Sequence, residues 1–224
     1  MSGPRDARAD DRAVERFRLG NELVDGPRLF VAVPLTPAAM AAVAELVAGI
    51  RLAPEPAPGE RRDPADVRWV RMDGLHLTLR FLGPTEPDRI PLLADAVRQA
   101  AGQVGEFEIG LAGAGVFPNP TRPRVLWLGL GRGIEPLNEL TAGLGLALAE
   151  RGWPFDDRPV RPHLTLARSD GVAAGPLMAG RLLEAAANLD VRWTAEQVVL
   201  FESQTGGGPA RYLRRLEVGL APAP

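Results

Sequence analysis

Residues 74–81 read GLHLTLRF, and residues 161–168 read RPHLTLAR. The chain holds only two histidines, and both stand in the tetrapeptide His-Leu-Thr-Leu. In an extended strand successive side chains point to opposite faces, so residues two apart share a face. His76 and Thr78 therefore share one face, while Leu75, Leu77 and Leu79 share the other. The same parity puts His163 with Thr165, and Leu164 with Leu166. Each strand is apolar behind and functional in front. Arg80 follows the parity of His76 and Thr78, where it either adds positive charge to that face or meets solvent at the strand end.

The flanking sequence bounds what such strands can belong to. At 224 residues with 46% hydrophobic and 24% charged side chains, the chain is long enough for one large domain or two small lobes with a real core. A formal net charge of −2 sets up no global basic field, so any contact with nucleic acid has to be a small local site. The absence of cysteine removes disulfides, thiolate nucleophiles and cysteine-containing zinc sites. Residues 1–27 mix Arg, Asp and Glu with few large apolar side chains, which predicts a mobile N-terminal arm, with a fraying helix around Asp11–Leu19. No signal-peptide core and no apolar run long enough for a membrane span is present. The expectation is a soluble cytoplasmic protein, with no membrane association and no obligate protein partner.

From Arg28 onward strands and helices alternate. RLFVAVPL (28–35) predicts a strand, and Thr36-Pro37 opens an alanine-rich helix to about Arg51. A Pro- and Gly-rich loop fills 52–66. VRWVRM and LHLTLRFL predict two short strands around Asp73-Gly74, and 86–104 predicts a helix. FEIGLAGAGVF and RVLWLGL predict a hairpin through PNPTRP, and 134–151 a second long helix. The second histidine motif opens a further strand, and 175–189 predicts a helix. VRWTAEQVVLFES and ARYLRRLEVGL predict a closing strand pair around QTGGGP. The two motifs lie 87 residues apart, too far for a short-period repeat. The predicted fold is α+β: a single bilobal domain over 28–224, with two mostly antiparallel sheets backed by helices and a central cleft.

If the lobes face each other, two imidazoles and two hydroxyls surround one volume. Imidazoles with an ordinary pKa of about 6.5 can divide labour near neutrality, one accepting a proton and the other donating it. Such a pair suits displacement at phosphorus, with the threonine hydroxyls holding nonbridging oxygens. This chemistry requires no metal and no cofactor. Two other signals carry less. GLGRGIEPL (129–137) lacks both dinucleotide-binding spacing and a Walker lysine. Asp156-Asp157 has the character of a solvated loop rather than of a metal pair.

The paired motifs resemble those of the two-histidine phosphoesterase superfamily. The surroundings resemble its RNA 2′,3′-cyclic phosphodiesterases, also described as 2′-5′ RNA ligases. RLFVAVPL is similar to that family's first strand, GVFPNPTRPRVLWLGL to its central hairpin, and LFESQTGGGPARY to its C-terminal segment. The resemblance implies a bilobal fold and metal-independent hydrolysis of an RNA or nucleotide 2′,3′-cyclic phosphate end to a 2′-phosphomonoester. It implies that His76 donates a proton to the leaving 3′ oxygen and that His163 accepts one from water, with Thr78 and Thr165 beside them. Arg168 matches an arginine that binds or orients phosphate. Strand parity puts Arg168 opposite to His163, so that role requires the strand to end or bulge near Ala167. Phe30 is either a base-stacking residue or part of the core. Where relatives often carry an aromatic three residues before the second histidine, this chain has Val160. The competing readings are 2′-5′ RNA ligation, ring opening of a small cyclic phosphate, and noncatalytic binding of RNA ends.

Overall fold

The structure, a computed structural model, describes residues 26–52, 67–154, 161–169, 174–204, 206 and 210–222. The expected N-terminal arm, most of the 52–66 loop, most of the QTGGGP segment, Asp156-Asp157 and Val160 lie outside the described residues. Strand β1 (Arg28–Pro34) leads into α1 (Pro37–Leu52). The break falls where Thr36 caps the helix, its side-chain oxygen accepting from the Ala39 N–H at 3.3 Å. Then come β2 (Val67–Trp69), β3 (His76–Pro84), α2 (Ile90–Ala101), β4 (Phe107–Phe117), β5 (Val125–Arg132) and α3 (Ile134–Ala149). The second half runs β6 (Leu164–Ser169), α4 (Ala174–Ala185), β7 (Val191–Ala195), β8 (Gln197–Gln204) and β9 (Arg211–Gly219).

The strands are antiparallel throughout and lie in the order β7-β4-β5-β6-β3-β1-β8-β9, with β2 beside β6. The two expected sheets are the two halves of one continuous sheet. They join where β3 meets β6 at the pair Leu77–Leu164. Helices α1 and α4 back the β4–β7 side, and α2 and α3 back the half built from β3, β1, β8 and β9. Every helix lies on the apolar face, where Leu77, Leu164, Leu126, Leu128, Leu140, Leu144 and Leu182 are buried in one core. The opposite face carries a smaller cluster: Phe30, Ala32, Val199 and Phe201, with Tyr212 against it. The turn from β5 into α3 requires a glycine. Gly133, at φ +82°, ends β5 and starts α3, and a Cβ there would meet the Glu108 carbonyl at 2.6 Å.

One predicted element divides. The stretch 191–203, read as one strand of a closing pair, breaks at Glu196 into β7 and β8. β7 pairs with β4 at one end of the sheet, while β8 pairs with β1 and β9 near the other. No Gly or Pro marks the break, because it is imposed by the passage of the chain from one half to the other.

Leu77 and Leu164, respectively 1% and 0% exposed, connect the halves and belong to the shared core. Leu77→Ala or Leu164→Ala is expected to cost about 2–5 kcal/mol, as for other buried leucines. Urea unfolding should show one transition moved to lower denaturant. A separate early transition for one half would contradict a shared core.

Candidate active site

The Leu77–Leu164 pair decides the geometry of the site. Both leucines immediately follow a histidine, and the strands run antiparallel. One step either way along the register puts His76 opposite Thr165 and His163 opposite Thr78. The four residues therefore form a locally twofold arrangement, with each histidine beside the threonine of the other motif. All four are half-buried, while Leu75, Leu77, Leu79, Leu164 and Leu166 are buried behind them.

Each imidazole is oriented in the same way. His76 Nδ1 lies 2.7 Å from the carbonyl oxygen of Gly74, and His163 Nδ1 lies 2.7 Å from that of Arg161. A carbonyl can only accept, so each Nδ1 carries the hydrogen and each Nε2 remains for chemistry. Aromatic rings then fix the ring planes. Phe30 lies 4.7 Å from the His76 ring and Phe201 5.8 Å, and Tyr212 meets it edge-on at 5.1 Å. His163 contacts Phe117 at 5.4 Å and Trp127 at 6.0 Å.

Two glycines make room for these rings. A Cβ on Gly115 would sit 2.2 Å from the Trp127 ring, and one on Gly74 would sit 2.8 Å from Tyr212. Gly74 thus seats one aromatic neighbour of His76 and also supplies the carbonyl that orients it. The Trp127 Nε1–H is buried with no hydrogen-bond partner among the described residues, so the indole is placed here for its ring rather than for its donor.

Burial among these rings pushes the His76 pKa down to about 4, against a weaker upward pull from the Gly74 carbonyl. His76 is therefore neutral in the free protein near pH 7. Burial raises the Tyr212 phenol, and the positive charge of Arg168 partly offsets this.

Arg168 stands where strict alternation would not put it. β5 pairs Leu126 with Ala167 but Trp127 with Thr165, so Leu166 is the extra residue of a β-bulge. Leu166 and Ala167 are both buried, and Arg168 emerges exposed on the Thr165 face. A bulge in β3 has the opposite effect on Arg80. β1 pairs Ala32 with Thr78 but Val31 with Arg80, which takes Arg80 off the face of His76 and Thr78. Its guanidinium donates instead to the Pro154 carbonyl at 2.7 Å. The structure thus corrects the parity argument that placed Arg80 at the site. Phe30 is also corrected as a stacking residue. At 2% exposure its ring is enclosed by His76, Phe81, Phe201 and Tyr212, leaving no face for a base.

The aromatic neighbours Phe117, Trp127, Phe201 and Tyr212 were not foreseen from sequence. The alternation in VLWL puts Trp127 opposite to Leu126 and Leu128, so its face was legible. Its contact with a histidine 36 residues later was not.

A sequence model of the 2′-5′ RNA ligase superfamily matches residues 34–207, more than half of the chain. The chain belongs to this superfamily. A relative from Geobacillus stearothermophilus named RNA 2′,3′-cyclic phosphodiesterase is 32% identical over 176 residues, 78% of this chain and 51% of its own length. One of the same name from Aeropyrum pernix is 34% identical over 119 residues, 53% of this chain and 66% of its own. Alignment with the Geobacillus relative thus spans about half of that protein. Among solved structures, a Thermus thermophilus protein superimposes with a TM-score of 0.67 at 26% identity, over 87% of this chain and 98% of its own. Escherichia coli LigT in apo form gives 0.64 at 25% identity, over 88% and 99%. LigT has also been solved in complex with 3′-AMP, with the same TM-score, identity and coverage. The superfamily fold is therefore the fold of this chain, and its match spans both histidine motifs.

The low proton affinity of folded His76 makes stability depend on pH. The unfolded chain takes up a proton on His76 below about 6.5, while the folded chain does so only near 4. His76 therefore lowers stability as pH falls through that interval. His76→Gln should flatten the thermal midpoint between pH 6.5 and 4 relative to the parent. Parallel profiles would show that the aromatic surroundings do not disfavour imidazolium.

Proposed function

We propose that this chain hydrolyses RNA 2′,3′-cyclic phosphate ends to 2′-phosphomonoesters by metal-independent acid–base catalysis. The single observation that carries the reading is the Leu77–Leu164 pairing, which sets two carbonyl-anchored imidazoles on adjoining strands. The name shared by the Geobacillus and Aeropyrum relatives, and the 3′-AMP complex of LigT, support the substrate class. With RNA ends as substrate, the protein acts in the cytoplasm.

In this reading, water attacks phosphorus as His163 Nε2 takes one of its protons. The P–O3′ bond breaks, and His76 Nε2 delivers a proton to the departing 3′ oxygen. The product carries a 2′-phosphate and a free 3′-hydroxyl, and proton exchange with solvent resets the two rings. The Thr78 and Thr165 hydroxyls donate to nonbridging oxygens, holding phosphorus between the imidazoles. Arg168 adds charge on the same face.

His76 enters this cycle neutral, so it must acquire its proton when the substrate binds. An anionic phosphodiester beside Nε2 favours imidazolium and raises the depressed pKa. The substrate thereby helps to charge its own general acid. 2′-5′ ligation uses the same pair with the 5′-hydroxyl of a second RNA in place of water. Product analysis with a 5′-hydroxyl acceptor separates joined from hydrolysed ends.

His76→Ala and His163→Ala should each lower kcat/KM on a cyclic-phosphate oligonucleotide by at least about 10²-fold, measured in EDTA. Tight binding with no turnover by the parent protein would favour a noncatalytic RNA-end binder. Turnover only after metal addition would overturn the mechanism.

The pH profile tests the role of His76. kcat/KM reports groups of the free enzyme, while kcat reports those of the complex. Activity should fall as pH rises past the acid's pKa. That fall should occur at higher pH in kcat than in kcat/KM, and His76→Ala should abolish it. Coincident limbs would mean that substrate charge does not act on His76.

A further inference from the structure

We infer that Arg68 and Arg168 form a second anion site, which takes the phosphate on the 5′ side of the terminal nucleotide. This rests on the cyclic-phosphate reading above and narrows its substrate to 5′-phosphorylated ends, as in an oligonucleotide. β2 lies antiparallel to β6 with Arg68 directly opposite Arg168. The flanking pairs turn the other way: Val67 and Ser169 are buried, Ala167 is buried, and Trp69 packs against the main core. Both arginines consequently project on the exposed face, the one that carries Thr165.

Like charges directly opposite on a ladder repel and destabilise the sheet. Among the described residues, several arginines are ion-paired, among them Arg71 with Asp73, Arg98 with Asp95, Arg132 with Glu108, Arg192 with Asp190 and Arg214 with Glu217, whereas only Arg68 and Arg168 are set directly opposite each other on a ladder. No ion pair is found for Arg68 or Arg168 among these residues. A bound anion removes the repulsion by accepting from both guanidiniums, whose planar forks match phosphate oxygens.

The location identifies which phosphate. Thr165 borders the volume between the histidines, and Arg168 lies three residues further along β6. At about 3.3 Å per residue, that displacement is at most roughly 10 Å, and the bulge at Leu166 shortens it. The β2 side of β6 continues in line with the histidine pair, because β3 flanks the start of β6 and β2 flanks its end. A nucleotide with its cyclic phosphate between the imidazoles can therefore present its 5′-phosphate to the two guanidiniums. Arg168 borders both anions, and Arg68 only the second. The spacing of Arg68, eight residues before His76, gave no sign of this in the sequence.

The test compares ring opening of a nucleoside 2′,3′-cyclic phosphate with that of the same compound carrying a 5′-phosphate. The parent should favour the 5′-phosphorylated compound in kcat/KM by about tenfold or more, the worth of one charge-assisted contact. Arg68→Ala should lose most of that preference, and Arg68→Lys should recover part of it. Equal losses on both compounds in Arg68→Ala, or an unaltered preference, would overturn the assignment. Binding of a nucleoside 3′,5′-bisphosphate against its 3′-monophosphate, followed by calorimetry, gives a readout independent of turnover. If the parent opens neither cyclic compound, the catalytic reading fails. The anion site still stands if the parent prefers the bisphosphate and Arg68→Ala does not, and it falls if the parent binds both alike.

Discussion

The antiparallel pairing of Leu77 with Leu164 is the constraint on which the site depends. It lies where the two halves become one nine-stranded sheet, and both leucines are buried in the common core. Because each leucine follows a histidine, this pairing automatically brings each histidine opposite the threonine of the other motif. Hydrophobic burial behind the sheet therefore sets the register of the two histidine motifs in front of it. A slip by one residue would bury the imidazoles and expose the leucines, so the core strongly disfavours it.

The two faces of the sheet divide stability and chemistry. Behind, four helices cover an apolar core of ordinary composition. In front lie the groups that burden the fold: an imidazole held neutral, an indole N–H without a partner among the described residues, and two arginines opposite each other on a ladder. Proteins commonly concentrate such local conflicts at functional sites, where the surrounding structure over-determines them. The aromatic box around His76 shows the trade directly. The rings that fix its plane also exclude the water that would solvate imidazolium, so orientation comes at the expense of protonation in the free protein.

β-Bulges refine this division. Adding Leu166 to β6 turns Arg168 to the front, and the irregularity in β3 takes Arg80 away toward Pro154. One irregularity brings a cation to the face of the histidine motifs, and the other takes one away. Each leaves the leucines around it in the core.

Period-two alternation encodes which face a residue occupies while a strand stays regular. The sequence by itself therefore determined most of the described strands and helices to within a few residues, the placing of His76 with Thr78 and of His163 with Thr165 on the face opposite the leucines, and the antiparallel α+β plan. Whether a strand bulges depends on its partners, so the positions of Arg80 and Arg168, and the pairing of Arg68, were decided only by tertiary structure. The same holds for Phe30, whose burial requires rings from β3, β8 and β9. It holds also for the break at Glu196, which carries no local signal because it arises from the path between halves. Local periodicity is written in neighbouring residues, whereas ladder irregularity and ring enclosure are written in residues distant along the chain.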